Sequence, residues 1–364
     1  MNVVVSAGGT GGDLFPAVAV VEQLAQLVGS GFSAEFVGSS VRIESRIVPS
    51  LGYGFTPIPV TGFKGLMHSS TLALPWRIFR SEQIVGSLLK RQCPAGMICG
   101  GTYISFPAAR AAFKRNIPVM LIEPNVRPGK TNRLLAKKAT KIIAAFEESK
   151  EYFSPEIQRK TVVTGNPTRQ SLSLSIPEQK SVRLSLGLKP DVFTVFVFGG
   201  SLGAKALNTA VERALPQITG TEIQIIWQTG SNYTPPDKLP RNVVAFNFID
   251  DMAASYSAAD LVVCRAGGGT VAELGNVGKP AILVPLPSAS NNEQYFNARA
   301  METAEAGLMV SNADIDARLM PLLYDFINNK TKLTAMTAAA ARLARPNAAR
   351  LAAEEFLAMI SDCV

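Results

Sequence analysis

Short, uninterrupted apolar runs recur along the chain and alternate with longer stretches of helical periodicity. The first such unit is the run at residues 3–6, the turn Gly8-Gly-Thr-Gly-Gly12 and a helical pattern over 17–27. A second copy follows about 190 residues later: a run at 194–198, the turn Gly199-Gly-Ser-Leu-Gly203 and a helical pattern over 204–215. Further strand-like runs fall at 35–37, 96–99, 119–122, 142–144 and 161–163, then at 223–228, 243–246, 261–264 and 281–285. Apolar strands alternating with helices are the pattern of parallel sheets covered on both faces. The reading is an α/β chain of two doubly wound, Rossmann-like domains facing across a cleft, with the junction near 165–177. In such sheets ligands gather beyond the carboxyl ends of the strands, so both glycine turns should line that cleft. The expected divisions are a first domain at 1–165, a second at 166–340, and a terminal helix at 341–364. The tail over 331–358 is alanine-rich with one break at Arg345-Pro346, and its last helix is expected to pack back on the first domain.

Composition narrows the function classes. With 47% apolar and 18% charged residues in 364, the chain buries a large core and is not disordered. The longest uncharged apolar stretches, such as 192–204, fall short of the roughly 20 residues of a membrane-spanning helix. No basic leader precedes the first strand, so no signal peptide is expected. The four cysteines, at 93, 99, 264 and 363, form no CxxC pair and fit a reducing compartment. A single histidine, His68, excludes HExxH zinc sites and, unless His68 itself serves, every histidine-based triad. Charge is uneven: residues 1–165 carry 19 Lys/Arg against 10 Asp/Glu, whereas 166–364 carry 17 against 18. The first half therefore faces something anionic, such as nucleic acid, a membrane surface or a diphosphate, or is simply a basic solvated face.

A glycine turn between strand and helix lets backbone N–H groups approach a phosphate. The dinucleotide fingerprint fails, because Gly9-Thr-Gly11-Gly-Asp-Leu14 lacks the third glycine and no acid ends the second strand. Pro128-Gly129-Lys130-Thr131 imitates the end of a P-loop, but Pro124 stands where its first glycine is required. A nucleotide sugar remains, since it needs helix N-termini and a ribose acceptor and no metal. Cys264-Arg-Ala-Gly-Gly-Gly-Thr-Val-Ala-Glu273 supplies glycines at a strand end and a carboxylate in the next helix. Glu273 there either takes ribose hydroxyls or merely complements the helix dipole. Leu72, Leu74, Trp76 and Phe79 stand among Lys64, Arg77 and Arg80, the mixture an interfacial anchor needs, though an amphipathic core helix carries the same pattern.

Taken in order, GGTGGDLFPA at 8–17, GGTYISFP at 100–107, NVRPGKTNR at 125–133, TGNPTR at 164–169, GGSLGA at 199–204, the 248–273 segment and NNEQYFNA at 291–298 cover nearly the whole chain. Through them the sequence resembles the MurG family of lipid II-forming N-acetylglucosaminyltransferases, which are inverting, metal-independent enzymes of the GT-B fold. The resemblance implies UDP-N-acetylglucosamine as donor, lipid I as acceptor and peripheral attachment to an anionic cell membrane on its cytoplasmic side. It implies no nucleic acid, cofactor or metal. Carried over, Arg169 and Ser201 hold phosphate, the Ile249 backbone meets uracil, and Gly268, Gly269, Thr270, Val271 and Ala272 line the nucleotide. Glu273 takes the ribose and Gln294 the sugar ring. Thr10, Gly11, Gly12 and Asn125 border the donor sugar, while Gly9, Thr102 and Tyr103 face the acceptor.

Three positions depart from the family pattern: Asp13 stands for its histidine, Pro124 for a glutamine and Leu202 for a polar residue. Asp13 becomes the candidate base for the acceptor hydroxyl, a weaker one than imidazole by reference pKa and one whose position also suits a helix cap. Two other functions stay open at this level: transfer to another lipid acceptor such as diacylglycerol, or UDP-sugar binding at a membrane without turnover.

Overall fold

The computed structural model describes residues 1–62, 73–168 and 177–362. Contacts divide the chain into two compact units, Met1–Arg169 with Asn347–Val364, and Gln170–Pro346. In unit 1 the strands are β1 (Asn2–Ser6), β2 (Ser33–Gly38), β3 (Gly54–Pro57), β4 (Gly96–Cys99), β5 (Val119–Glu123), β6 (Lys141–Ala144) and β7 (Thr161–Val163). They form one seven-stranded parallel sheet in the order β3-β2-β1-β4-β5-β6-β7. Unit 2 holds β8 (Phe193–Phe198), β9 (Ile223–Gln228), β10 (Val243–Phe246), β11 (Leu261–Cys264), β12 (Ala281–Leu283) and β13 (Gly307–Met309). Its six-stranded parallel sheet runs β10-β9-β8-β11-β12-β13.

Two strands were not visible in the sequence, β3 and β13. Both are short edge strands: β3 is half-exposed and broken by Thr56 and Pro57, so it does not read as an apolar run, whereas β13 is the apolar run Gly307-Leu-Met309, only three residues long and led by a glycine. The central strands β4, β5, β9 and β11 are buried at every position, as strands covered on two faces must be.

The first helix, Gly11–Val28, begins six residues before the periodic stretch at 17–27, because Gly11, Gly12 and Asp13 already form its opening turn. Extended to Gly31, it is long and apolar enough to pass for a membrane span, with a mean hydropathy of 1.3. It carries Asp13 and Glu22, so it is not one of the uncharged apolar stretches weighed above. Its apolar face is nonetheless occupied: Leu14, Ala17, Val18, Val21 and Leu24 pack with Ile98, Met120 and Ile143 of the sheet. The same core takes Ala352, Ala353, Phe356 and Met359 from the last helix, Ala348–Ser361. Lys141 and Glu355 close that helix onto β6 with a 2.7 Å ion pair.

In both sheets the chain order reverses beside the first strand, between β1 and β4 in unit 1 and between β8 and β11 in unit 2. The loops after those strands diverge to opposite faces and leave a crevice at the strand ends. The 8–12 and 100–107 segments follow β1 and β4, and the 199–203 and 265–269 segments follow β8 and β11.

Candidate functional site

At the switch point of unit 1 the glycine turn rests on a buried glutamate that the sequence did not single out. Glu44 is fully buried; its Oε2 accepts the Gly9 N–H at 2.9 Å and its Oε1 the Ser39 N–H at 2.8 Å. A side chain at Gly8 would collide with it, since a Cβ there would lie 2.4 Å from the Glu44 carboxyl carbon in a backbone with φ of +151°. The Gly9 N–H is thus committed to the protein itself.

Asp13 lies in the first turn of the helix. It does not cap that helix: Thr10 is the N-cap residue, and its hydroxyl donates to Asp13 Oδ2 at 2.6 Å. Part of the side chain stays open to solvent. Even so, desolvation pushes its pKa up from 3.8 to about 6, with Glu44 adding to the rise and Thr10 opposing it. Tyr103, from the loop after β4, reaches the same place: a Cβ on Gly9 would lie 3.5 Å from its ring. Burial raises its phenol, and a hydrogen bond with Arg42 counters the rise. The hydroxyl of Thr102, shielded from solvent, has no hydrogen-bond partner among the described residues. Thr10 and Gly12 are exposed, and Gly11 is half-buried.

Asn125 is held by a second buried acid. Glu123, at the end of β5, is 1% exposed and accepts from the Asn125 N–H at 3.0 Å, the Asn125 amide at 3.2 Å, the Gly129 N–H at 2.8 Å and Asn132 at 2.9 Å. Those donors favour the carboxylate, but desolvation prevails and lifts its pKa from 4.5 to about 7.

The segment carrying the interfacial residues opens the helix Leu74–Gln92. Trp76 is 64% and Phe79 58% exposed, so these rings are not core. Leu74 and Phe79 line a cavity of about 360 Å³ together with Phe106 of the 100–107 motif and the cations Arg110 and Lys114, which pair with the buried Glu82. Leu72 lies outside the described residues, as does Arg169.

In unit 2 the 199–203 loop packs backbone to backbone against the turn after β9. A Cβ on Gly203 would stand 2.1 Å from the Thr229 carbonyl oxygen, and one on Gly230 2.0 Å from the Gly203 nitrogen. Ser201 sits exposed at the loop's tip, its carbonyl accepting the Ser231 N–H. Gln228, buried at the end of β9, was not anticipated. Its amide donates to the Gly200 carbonyl at 3.3 Å, and its Oε1 accepts the Ile249 N–H at 2.9 Å. The Ile249 N–H is therefore committed to the protein itself.

After β11 the helix Gly268–Asn276 starts at Gly267 without a side-chain cap. The first N–H groups of such a helix have no intrahelical partners and suit an anion. Gly269, Thr270 and Ala272 are half-exposed on that turn, whereas Gly268 and Val271 are buried. Half-buried Glu273 follows, and the Tyr256 phenol donates to its Oε2 at 2.8 Å. Gln294 lies in the helix Glu293–Thr303, after Asn291 and Asn292 in left-handed backbone. Its Oε1 accepts the Leu286 N–H at 2.9 Å, which leaves the amide N–H₂ to a ligand.

Each unit thus brings its glycine loop and a carboxylate to one end of its sheet, Asp13 in the first and Glu273 in the second. Glu44, Glu123, Gln228 and Tyr256 are the additions. Only Glu123 and Gln228 leave a trace in the sequence, each as a polar residue closing a mostly apolar strand.

Residues 3–144 match the glycosyltransferase family 28 N-terminal domain, and residues 194–353 match its C-terminal domain. The chain is 37% identical to a Salinibacter ruber UDP-N-acetylglucosamine–N-acetylmuramyl-(pentapeptide) pyrophosphoryl-undecaprenol N-acetylglucosamine transferase, over 98% of this chain and 96% of the relative. The Bacteroides thetaiotaomicron protein of the same name is 34% identical over 98% and 97%. Among solved structures, Acinetobacter baumannii MurG superposes with a TM-score of 0.74 at 27% identity, covering 98% of this chain and 99% of that one. A Neisseria meningitidis UDP-GlcNAc 2-epimerase shares the fold at 15% identity, with a TM-score of 0.68.

Proposed function

Because the chain belongs to glycosyltransferase family 28, we propose that its two units divide one transfer between them, unit 2 holding the donor and unit 1 the acceptor and the base. The reaction moves N-acetylglucosamine from UDP-N-acetylglucosamine to the C4 hydroxyl of the muramoyl sugar of lipid I and yields lipid II. The supporting observation is that each switch point sets a partly exposed carboxylate beside its glycine loop, Asp13 in unit 1 and Glu273 in unit 2.

On unit 2, Glu273 accepts the ribose hydroxyls and the Ile249 carbonyl accepts the uracil N3–H. The N–H groups of the 268–272 turn, with Ser201 and Arg169, offset the diphosphate charge. A permanently charged guanidinium suits that task, and together these groups stabilise the UDP leaving group without a metal. The Gln294 amide reads a sugar hydroxyl. On unit 1, Thr10, Gly11, Gly12 and Asn125 border the donor sugar, and Gly9, Thr102 and Tyr103 face the acceptor. As the acceptor oxygen bonds to the anomeric carbon, the bond from that carbon to the diphosphate oxygen breaks, and the hydroxyl proton passes to Asp13. With its pKa near 6, Asp13 is ionised at neutral pH yet a stronger base than an ordinary aspartate.

The exposed Trp76 and Phe79, beside Arg77 and Arg80, fit a peripheral attachment to anionic membrane on the cytoplasmic face. Phe106 shares a cavity with Phe79, which supports a motif for the acceptor beside the surface for lipid. The test is product analysis with UDP-N-acetylglucosamine and a lipid I analogue. The disaccharide-linked lipid and free UDP should form together. Transfer to diacylglycerol in preference to the lipid I analogue, or donor binding with no product from either acceptor, would replace this reading.

A further inference from the structure

Glu44 opens the short helix Glu44–Ser50 and is completely buried. Its carboxylate links two loops that follow neighbouring strands: Oε2 takes the Gly9 N–H after β1, and Oε1 the Ser39 N–H after β2. Gly38 is fitted to it as Gly8 is, since a Cβ there would lie 2.5 Å from the Glu44 Cγ. Among the described residues it forms no ion pair. Two backbone donors offset the cost of burying a carboxylate only in part, so the charge calls for a use beyond joining two loops.

We propose that Glu44 is a positioning residue for the transfer: it ties the glycine turn to the end of β2 and holds a fixed negative charge beside the turn that carries Asp13. This rests on the reading of Asp13 as the base. When the acceptor hydroxyl gives its proton to Asp13, that carboxylate becomes neutral and its repulsion with Glu44 vanishes. The buried anion therefore favours the proton transfer. Around Asp13, among the described residues, Thr10 donates from its own turn and Glu44 acts from the short helix. Tyr103 stands in the loop after β4, with Arg42 of the loop after β2 at its phenol. Burial raises the Tyr103 pKa, so its hydroxyl keeps its proton, and Arg42 is exposed, so solvent screens its charge. Glu44 is the charge of this group that solvent does not reach.

Glu44→Gln removes the charge while keeping the size and one acceptor. The pH dependence of kcat would be followed on the full chain from pH 4.5 to 8, with UDP-N-acetylglucosamine and the lipid I analogue, and with melting curves as the folding control. The acid limb, at about pH 6 in the parent, should move lower by about 0.5 to 1 pH unit, as for loss of a nearby like charge. At pH 5 the variant should then keep roughly 3- to 5-fold more of its own plateau activity than the parent keeps. A limb left at its parental pH, with only turnover or Tm reduced, would mean that Glu44 merely braces the turn, and would overturn the proposal. Glu44→Asp keeps the charge but draws it back from Gly9 by about one bond, ~1.5 Å. It should move the limb the same way by less, and an unmoved limb there overturns the proposal even where Glu44→Gln does not fold. Asp13→Asn separates the two readings, since it should abolish the limb along with most of the turnover. If the limb persists in Asp13→Asn, the base assignment fails and the proposal with it. If Asp13→Asn abolishes the limb but neither Glu44 variant moves it, the proposal alone fails.

Discussion

At the switch point of unit 1, three carboxylates, Asp13, Glu44 and Glu123, lie in or beneath the glycine loops. At that of unit 2, the amides of buried Gln228, Asn208 and Asn297 brace the loops, and the acid that the described residues place there, Glu273, is half-exposed. The same topology thus supports two different electrostatic designs. Neutral hydrogen bonds brace the loops of unit 2, which suits the diphosphate proposed to bind there, since an anion beneath the loop would repel it. A site that must accept a proton gains from crowding and desolvating its acids, because that lifts the base towards neutral pH.

The largest expected effect belongs to Asp13. Asp13→Asn keeps the size and the Thr10 contact but cannot take a proton, so kcat should fall roughly 10²- to 10⁴-fold with UDP affinity unchanged. Near-normal turnover would leave unit 1 without a base and dissolve the contrast between the units. Glu273→Ala should act on the other side, costing roughly 1–3 kcal/mol of UDP affinity. Unchanged UDP binding by a folded variant would remove Glu273 from the site.

Serine at Leu74, Trp76 and Phe79 together should weaken binding to anionic vesicles about tenfold or more, since each exposed side chain contributes apolar area. UDP binding should be untouched, because the substitutions are confined to unit 1. Vesicle binding equal to that of the parent would place the lipid-facing surface elsewhere. The smallest effect concerns stability. The pKa of Glu123 is raised on folding, so its stabilisation is complete below pH 4.5 and is lost as pH rises through about 7. Asp13 has the same sign over a lower window. Tm should therefore decline from pH 5 to 8, and Glu123→Gln should flatten the decline. A slope identical in the variant would mean that Glu123 is already ionised in the folded chain.

What could be read in the sequence depended on where the partner of each residue lay. Strands buried on both faces announce themselves as apolar runs, and glycine turns mark their ends, so most strands, both loops, Asp13 and Glu273 could be placed. The start of the first helix could not, because glycines carry no periodicity although the 11–13 turn is helical. Edge strand β3 lacked a continuous apolar run for the same physical reason that it is an edge, whereas β13 is apolar but only three residues long. The bracing groups were invisible because their roles belong to pairs distant in the chain. Glu44 meets Gly9 35 residues earlier, and Gln228 meets Ile249 21 residues later. Tyr256 read as an ordinary core aromatic until Glu273 stood beside it.

The central claim is that unit 1 carries the titrating chemistry and unit 2 the binding. The pH profile of kcat, measured alongside UDP affinity on the same protein, tests it most directly. The account predicts that kcat falls about tenfold per pH unit below pH 6, as Asp13 takes up a proton, while UDP affinity does not follow it. A kcat flat from pH 5 to 8, or a UDP affinity that falls in step with it, would contradict the account.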